Sequence, residues 1–347
     1  MASPTLSSGE TVASRRSGRR PHPPRSRIES EPSVSSSPSS ARAAAPADAD
    51  PVPDAPRAPE AAGLAELAAR HGLAPSGKRP PLGRYLTALW RHRHFVDAFA
   101  RARASAKYSK ANLGRLWEVG TPLLNAAVYY LIFGLLLQTD RGVEDFIPFL
   151  VTGVFVFTFT QQTVLAGVRA ISGNLGLIRA LHFPRAALPI SLALVQMRQM
   201  LVTMGVLLVI VMATGQVPQW NWLLAVPVLL LQSLFNTGLA LVFARAGAKV
   251  SDLAQLMPFV LRTWMYASGV MYSISVMAAS APAPVRFILD VNPAAVYIDL
   301  MRFSLIESFT ASEMPPHAWW LAAGWAVAVL IGGFVYFWKA EESYGRD

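Results

Sequence analysis

Six long apolar runs occupy the chain after Gly120, with polar or interrupted segments between them. Each run approaches or exceeds the ~17–25 residues that an α-helix needs to cross the hydrocarbon core of a bilayer. The pattern predicts an all-α integral membrane protein whose transmembrane domain covers residues 117–340. The six predicted spans are 121–138, 147–167, 188–213, 222–243, 253–273 and 317–338.

The segment before the spans, residues 81–116, places apolar residues at roughly helical spacing among many cations. Residues 78–115 hold ten Lys or Arg residues against one acid, Asp97. This pattern predicts a basic amphipathic helix that lies in the membrane interface on the cytoplasmic side. Its apolar positions include Leu86, Leu89, Trp90, Phe95 and Phe99.

Residues 1–80 are rich in Ser, Pro, Ala and Arg. Such a segment buries too little apolar surface to offset its ordering entropy, so we predict a disordered cytoplasmic tail. We expect no cleavable secretion signal, because the N-terminus lacks the apolar stretch of one. The basic run Arg15–Arg20 is interpreted as part of the solvated tail, with acidic lipid or a kinase as the alternative partner.

The charges of the loops predict the orientation of the spans. Loops 168–187 and 244–252 carry five basic residues and one acid. Loop 139–146 carries three acids and one Arg, and loop 214–221 carries no charge. Basic loops stay on the cytoplasmic side, so both termini are expected in the cytoplasm.

The segment 274–316, between the fifth and sixth runs, is apolar in two stretches that Pro282, Pro284 and Pro293 interrupt. A segment too apolar for water and too interrupted to cross the bilayer predicts two short re-entrant helices within 274–312. The alternative is an ordinary folded loop outside the membrane.

The second short helix has a recognisable start signal. Asn292 is expected to cap it, with Pro293 at the first helical position. Arg302 then lies in an apolar setting and needs an acidic partner such as Asp290 or Asp299.

The composition agrees with a membrane protein, since 53% of residues are hydrophobic, 15% are charged and the mean hydropathy is +0.35. Soluble domains average about 25% charged residues. The net charge of +10 arises from basic residues clustered in loops, which indicates membrane orientation and no nucleic-acid partner. The chain has no cysteine, which excludes disulfides and thiol chemistry.

The predicted spans contain no Asp or Glu, and their one His, His317, lies at an edge. Ion-coupled transporters keep such groups inside the membrane, and membrane-embedded enzymes need them for catalysis. Gly77-Lys78 is followed by Arg79, so no phosphate-binding loop is present. The sequence therefore predicts no catalytic residue, no metal site and no cofactor, and a transporter powered by another subunit. His92 and His94 lack a third ligand and are assigned to the helix surface.

Two cations lie inside predicted spans, Arg198 and Arg262. A central Arg costs roughly 2.5–3.5 kcal/mol on insertion scales. Each therefore either snorkels towards the cytoplasm or faces a cavity or a partner.

Three runs, 108–122, 174–189 and 292–305, carry a set of residues in a characteristic order. These residues are Leu113, Gly114, Leu116, Trp117, Pro122, Asn174, Leu177, Ile178, Phe183, Pro184, Arg185, Leu188, Pro189, Asn292, Pro293 and Arg302. Together the three runs resemble the type-2 ABC exporter permeases, especially those that export bacterial cell-envelope polysaccharides. The resemblance covers about 84–340 and leaves the tail out.

The resemblance implies a homodimer bound to two copies of an ATP-binding cassette ATPase, which would bind ATP and Mg. The interface helix, with Leu86, Trp90, Phe99, Leu113 and Trp117, would rest on the membrane lipid and the ATPase. The segment with Asn292, Pro293 and Arg302 would form a periplasmic gate. The expected ATPase-coupling residues are Asn174, Ile178, Arg179, Phe183, Pro184 and Arg185.

The resemblance also implies a place in the bacterial cytoplasmic (inner) membrane and a lipid-linked polysaccharide substrate, galactan or O-antigen-like. Teichoic acid export and drug or haem export are the alternatives within the family. A membrane-embedded glycan-processing enzyme is the alternative from another class. It would have to use outer acids, for which the candidates are Asp290, Asp299, Glu307 and Glu313.

Aromatic residues and one cation are candidates for the translocation path, because sugar rings slide on aromatic faces and a cation suits a lipid phosphate. Plain packing is the alternative interpretation. The candidates are Tyr129, Tyr130, Arg262, Trp264, Tyr266 and Tyr272.

The predicted orientation is testable because the chain has no cysteine of its own. Cysteine placed at Ser275 or Ser312 should react with a membrane-impermeant thiol reagent in intact cells. Cysteine at Ser172 or Ser251 should react only after the membrane is opened. The opposite labelling pattern would refute the orientation.

Overall fold

The computed structural model describes residues 80–108, 114, 116–132, 145–275, 282–342 and 344. The predicted tail (1–80, apart from Pro80) and Leu113 lie outside these residues. The described part of the chain is helical and contains no strand. Its α-helices are α1 (Leu82–Arg91), α2 (Arg93–Tyr108), α3 (Leu116–Tyr129), α4 (Phe146–Val168), α5 (Leu175–Ala180), α6 (Ala187–Ala213), α7 (Ala225–Lys249), α8 (Leu253–Ala267), α9 (Ala283–Val291), α10 (Pro293–Leu305) and α11 (Ala318–Trp338).

Four helices among the described residues are long and apolar enough to cross a membrane. They are α4, α6, α11 and the stretch Trp220–Lys249, which adds a short 3₁₀ turn to α7. They match four of the six predicted spans, and α4, α6 and α11 do so within one residue at either end. The chain is therefore a multi-pass membrane protein.

The first predicted span, 121–138, is described only in part. Helix α3 begins before it, and a shorter apolar helix covers Val119–Ile132. Residues 133–138 lie outside the described residues.

The fifth predicted span, 253–273, is too long. Helix α8 has 15 residues and ends at Ala267, and Gly269 adopts a left-handed φ of 64°. The side-chain amide of Asn292 donates to the carbonyl of Ala267, so a contact distant in sequence stabilises the early helix end.

The single interface helix predicted over 81–116 is also wrong, because the structure has two helices that meet at His92. The ring Nδ1 of His92 lies 2.8 Å from the carbonyl of Ala88, and the backbone N–H of His92 donates to the same carbonyl. This local competition for one acceptor accompanies the break, where no Pro or Gly is present.

Helix α4 is the central element of the bundle, and most of its residues are buried. It packs against α6, α7 and α10, while α7 and α11 approach each other closely. A Cβ on Gly238 would lie 2.4 Å from the carbonyl oxygen of Val329, so the backbones touch there. In α11 only 22% of the apolar window is buried, which leaves most of that helix for lipid or another chain.

The predicted re-entrant pair consists of two unlike helices. None of the residues of α9 is buried, whereas nearly all residues of α10 are buried. Helix α10 packs against α4, α7 and α11, and Tyr297 Oη donates to the carbonyl of Ala322 at 2.8 Å. The second helix is therefore part of the bundle interior.

The contact between α7 and α11 yields a stability prediction. Gly238→Ala should force the helices apart and lower the unfolding free energy by about 1–3 kcal/mol, the usual cost of overpacking. Gly205→Ala in α6 is the matched control, because a Cβ there would meet nothing within 4 Å. Thermal unfolding in detergent measures both variants, and equal midpoints would contradict the close packing.

Candidate functional site

A cavity of about 400 Å³ lies where three distant parts of the chain meet. Its lining comes from α1 and the residues that flank it, from α5 and the segment between α5 and α6, and from Glu341 after the last helix. Four of the six predicted coupling residues line it: Ile178, Phe183, Pro184 and Arg185. These four residues therefore share one continuous surface, which we call the coupling groove, and their role in coupling remains a prediction.

Glu341 binds the other two parts of the coupling groove through both carboxylate oxygens. Tyr85 Oη donates to Oε2 at 2.8 Å, and the backbone N–H of Arg185 donates to Oε1 at 3.0 Å. The backbone N–H of Ala186 donates to Tyr85 Oη at 3.0 Å. One buried carboxylate thus fixes the segment before α6 against the first helix.

The protonation of this network follows from its burial. Burial raises the pKa of Glu341, while the hydrogen bonds from Arg185 and Tyr85 oppose that shift. Burial and the neighbouring charge of Glu341 raise the pKa of Tyr85. Tyr85 therefore keeps its proton at neutral pH and serves as a donor.

Arg185 has a partner within the chain itself. Its guanidinium donates to the main-chain carbonyl of Glu341. Pro184 is buried beside it, and the ring of Phe183 packs 4.9 Å from that of Phe95 in α2. The sequence analysis did not name Glu341. The signal that could have identified it is an acid shortly after the last apolar run, at a membrane face that is otherwise basic.

The other coupling residues contact α2 or face outwards. The side-chain oxygen of Asn174 accepts a hydrogen bond from Arg103, and its amide donates to the carbonyl of Ala170 at 2.8 Å. Arg179 is exposed on α5. Helix α2 thus contacts the coupling segment at Asn174 and at Phe183.

The apolar positions predicted for the interface helix are divided between the surface and the protein interior, since Leu89 and Phe99 pack against a buried cluster. Leu86 and Trp90, one turn apart in α1, are 45% and 72% exposed. Phe99 in α2 packs against the buried cluster that includes Tyr85 and Ile178, and Trp117 in α3 is 39% exposed. Tyr85 lies on the other side of α1 and is buried, and the sequence analysis did not single it out.

Arg198 is paired with the one acid of the interface segment. Its guanidinium forms an ion pair with Asp97, which also binds Arg101 at 2.6 Å. The hydrogen bond from Arg198 is the main cause that lowers the pKa of Asp97. Arg198 therefore has a partner, and this non-local pair was missed by the sequence reasoning.

Asn292 stands at the junction of α8, α9 and α10. Its Oδ1 accepts from the backbone N–H of Ala294 at 3.2 Å and from Trp264 Nε1 at 2.9 Å. Its Nδ2 donates to the carbonyl of Ala267 at 3.0 Å and to Ser268 Oγ at 3.1 Å. The predicted cap, with Pro293 at the first position of the helix, is confirmed. The same amide also binds the end of α8.

Arg302 is fully buried at the outer end of the bundle, by the predicted orientation. It pairs with Asp299 at 3.2 Å, and its other nitrogens donate to the carbonyls of Phe149 at 3.2 Å and Val270 at 2.9 Å. Its guanidinium carbon lies 3.3 Å from the centre of the Phe149 ring. A Cβ on Gly153 would lie 2.7 Å from Arg302 Nη2, so glycine is required there.

Of the two acids expected to pair with Arg302, the structure selects Asp299. Asp290 lies instead 3.8 Å from Arg286 in α9. We call the contacts of Asn292 and Arg302 the outer junction. They connect α4, α8 and α10 through main-chain carbonyls.

Some candidates for the translocation path are hydrogen-bonded within the chain, and others are exposed on its surface. Trp264 donates to Asn292 and packs edge-on against Phe157, so it belongs to the outer junction. Tyr272 Oη donates to the carbonyl of Tyr266. Arg262, Tyr266 and Tyr130 are exposed on the surface of the single chain, and the side chain of Tyr129 lies outside the described residues.

Comparison with known proteins adds a family and several relatives. The profile of the family described as ABC-2 type transporter matches residues 98–306. The chain is 25% identical over 193 residues to the O-antigen export system permease protein RfbA of Klebsiella pneumoniae, covering 55% of this chain and 72% of that protein. It is 27% identical over 192 residues to RfbA of Myxococcus xanthus, covering 55% and 73%. It is 22% identical over 247 residues to the polysialic acid transport protein KpsM of Escherichia coli, covering 71% and 93%.

The outer junction yields a prediction about Arg302. Arg302→Met should destabilise the protein by about 3–5 kcal/mol, because it leaves Asp299 buried without its partner. The double variant Arg302→Met, Asp299→Asn should recover part of the loss. Thermal unfolding of the purified chain measures both.

Arg286→Met is the matched control, since Arg286 is 63% exposed and its pair with Asp290 is long. Exposed ion pairs contribute only about 0–1 kcal/mol. A loss from Arg302→Met no larger than that from Arg286→Met would refute the structural role of the buried pair.

Proposed function

The chain belongs to the ABC-2 type transporter family, and we propose that it is the transmembrane subunit of an exporter for a lipid-linked cell-envelope polysaccharide, galactan or O-antigen-like. It is a transport subunit, and the ATP and Mg would be bound by a separate ATPase. The relatives at 22–27% identity carry the names of polysaccharide export proteins, which supports this substrate class.

The observation that carries the proposal is the coupling groove. A partner that pushes on Phe183 and Pro184 would act on α1, α2 and the end of α11 at once, because Glu341, Tyr85 and Phe95 connect them. That is the arrangement a transporter needs when its power comes from outside the chain. We place two ATPase copies at this face, one on each of two copies of the chain.

We assign the outer junction to the gate on the far side of the bacterial cytoplasmic membrane, with both chain termini in the cytoplasm. The exposed face of α8, with Arg262 and Tyr266, is the proposed wall of the path between the two copies. Of the four outer acids that the enzyme alternative would have to use, Asp299 and Asp290 each pair with an arginine, which leaves Glu307 and Glu313 as its candidates.

The substrate is tested in cells that lack this chain. We expect lipid-linked polysaccharide to accumulate inside them and to disappear from the surface. If no lipid-linked glycan accumulates, the proposed substrate class is wrong. Co-purification of an ATPase with the intact chain tests the partner.

The coupling groove yields a sharper prediction with Glu341→Gln. The amide would present donors to Tyr85 Oη, which already accepts from Ala186, so the network would lose at least one hydrogen bond to a charged group, worth about 1.5–3 kcal/mol. We expect the variant to insert and to bind the ATPase, while export at a given rate of ATP hydrolysis falls roughly tenfold.

Glu342→Gln is the control, because it makes the same change at the exposed neighbouring position. It should export at the full rate. Equal export by the two variants would remove Glu341 from the coupling mechanism.

A further inference from the structure

A second cavity, of about 300 Å³, lies at the other end of α6 from the coupling groove. Helix α6 has 27 residues, and a rise of 1.5 Å per residue separates its ends by about 40 Å. One wall is the segment between α6 and α7, and the other is the end of α10 with the residues that follow it. By the predicted orientation the cavity opens on the outer side of the membrane.

A polar network connects the two walls of this outer cavity. Gln216 Nε2 and Ser308 Oγ both donate to Asp145 Oδ2 at 2.8 Å. The backbone N–H of Glu307 donates to Gln216 Oε1 at 2.9 Å. The two walls are thereby held together through the start of α4.

The side chains at the rim point to the chemistry of a ligand. Gln219, Asn221 and Glu307 line the cavity, are exposed, and make no side-chain hydrogen bond within the part of the chain that the structure describes. The rings of Trp222 and Phe303 lie in the same lining and are half-buried. Amides and a carboxylate match hydroxyl groups, and aromatic rings match the apolar faces of sugar rings.

The charge of the outer cavity excludes an anionic ligand. The lining residues include no Lys, Arg or His, and one of them, Glu307, is an acid. The carboxylate of Asp145, which accepts a hydrogen bond from the lining residue Gln216, adds further negative charge beside the cavity. Phosphate and carboxylate groups are bound by Arg, Lys or clustered backbone N–H groups, so they would meet repulsion here.

We propose that this outer cavity binds uncharged sugar units of the exported polysaccharide as they leave the membrane. The inference rests on the proposed function, and it narrows the substrate to a glycan with uncharged stretches. Phe303 and Ser304, which line one wall of the cavity, directly follow Arg302 in α10. A bound sugar would therefore contact the helix whose position the outer junction fixes.

Saturation-transfer NMR on the purified full-length chain in detergent tests the inference. The uncharged probes are the methyl glycosides of galactose, mannose and N-acetylglucosamine, and the anionic probe is N-acetylneuraminic acid. We expect transfer to at least one uncharged probe and none to the anion. The variant Gln219→Ala, Asn221→Ala should weaken binding roughly tenfold through two lost hydrogen bonds.

Gln255→Ala is the matched control, because Gln255 is an exposed amide near the start of α8, at the predicted cytoplasmic face. It should bind the probe as the parent does. The proposal is overturned if no uncharged probe shows transfer, if the anion binds equally well, or if the double variant binds as tightly as Gln255→Ala. Both altered positions are exposed, so unchanged thermal unfolding will verify the fold of the variants.

Export in cells separates this inference from the proposed function. Cells with the double variant should still display polysaccharide, at a lower rate, whereas cells without the chain should display none. Full probe binding by the double variant alongside normal export would refute the outer cavity and leave the exporter standing. Unchanged surface polysaccharide in cells without the chain would refute the exporter itself.

Discussion

A fully buried guanidinium at the outer end of the bundle constrains the rest of the structure. Burying a charge is costly unless it is paired and hydrogen-bonded, and in a bilayer water cannot supply the partners. Each of the three guanidinium nitrogens of Arg302 has a partner, namely the carboxylate of Asp299 and the main-chain carbonyls of Phe149 and Val270. The carbonyls belong to α4 and to the segment after α8, so α10 has little freedom to move without them.

One helix, α4, runs from the outer junction to the segment that carries the predicted coupling residues. Helix α4 contributes Phe149 to the outer junction near its first turn, and it runs into the coupling segment after Val168. Its 23 residues span about 35 Å, and burial on most sides makes it a stiff connection. Helix α4 is therefore the element that connects the outer junction to the segment that carries the predicted coupling residues.

The sequence predicted what depends on local pattern. Long apolar runs predicted α4, α6 and α11 to within one residue at either end, because a helix that crosses a bilayer must be apolar over the thickness of the hydrocarbon core. The start of α10 was also predicted, since Asn292 and Pro293 act within one turn. The sequence analysis missed contacts between residues that are distant in sequence. They are the ion pair of Asp97 with Arg198, the hydrogen bond from Asn292 to the early end of α8, and the partners of Glu341. These contacts join residues from about 25 to 256 positions apart, and no periodicity reports them.

Four of the six predicted coupling residues lie together at the coupling groove, and their role in coupling remains a prediction. Arg185, which the sequence assigned to the ATPase contact, donates to the main-chain carbonyl of Glu341 within the chain. This internal contact leaves Phe183 half-buried at the edge of the coupling groove. A loop that is held in this way transmits a displacement better than a flexible loop, which would absorb the movement. Under the proposed function, Glu341 therefore supports the coupling surface from within the chain.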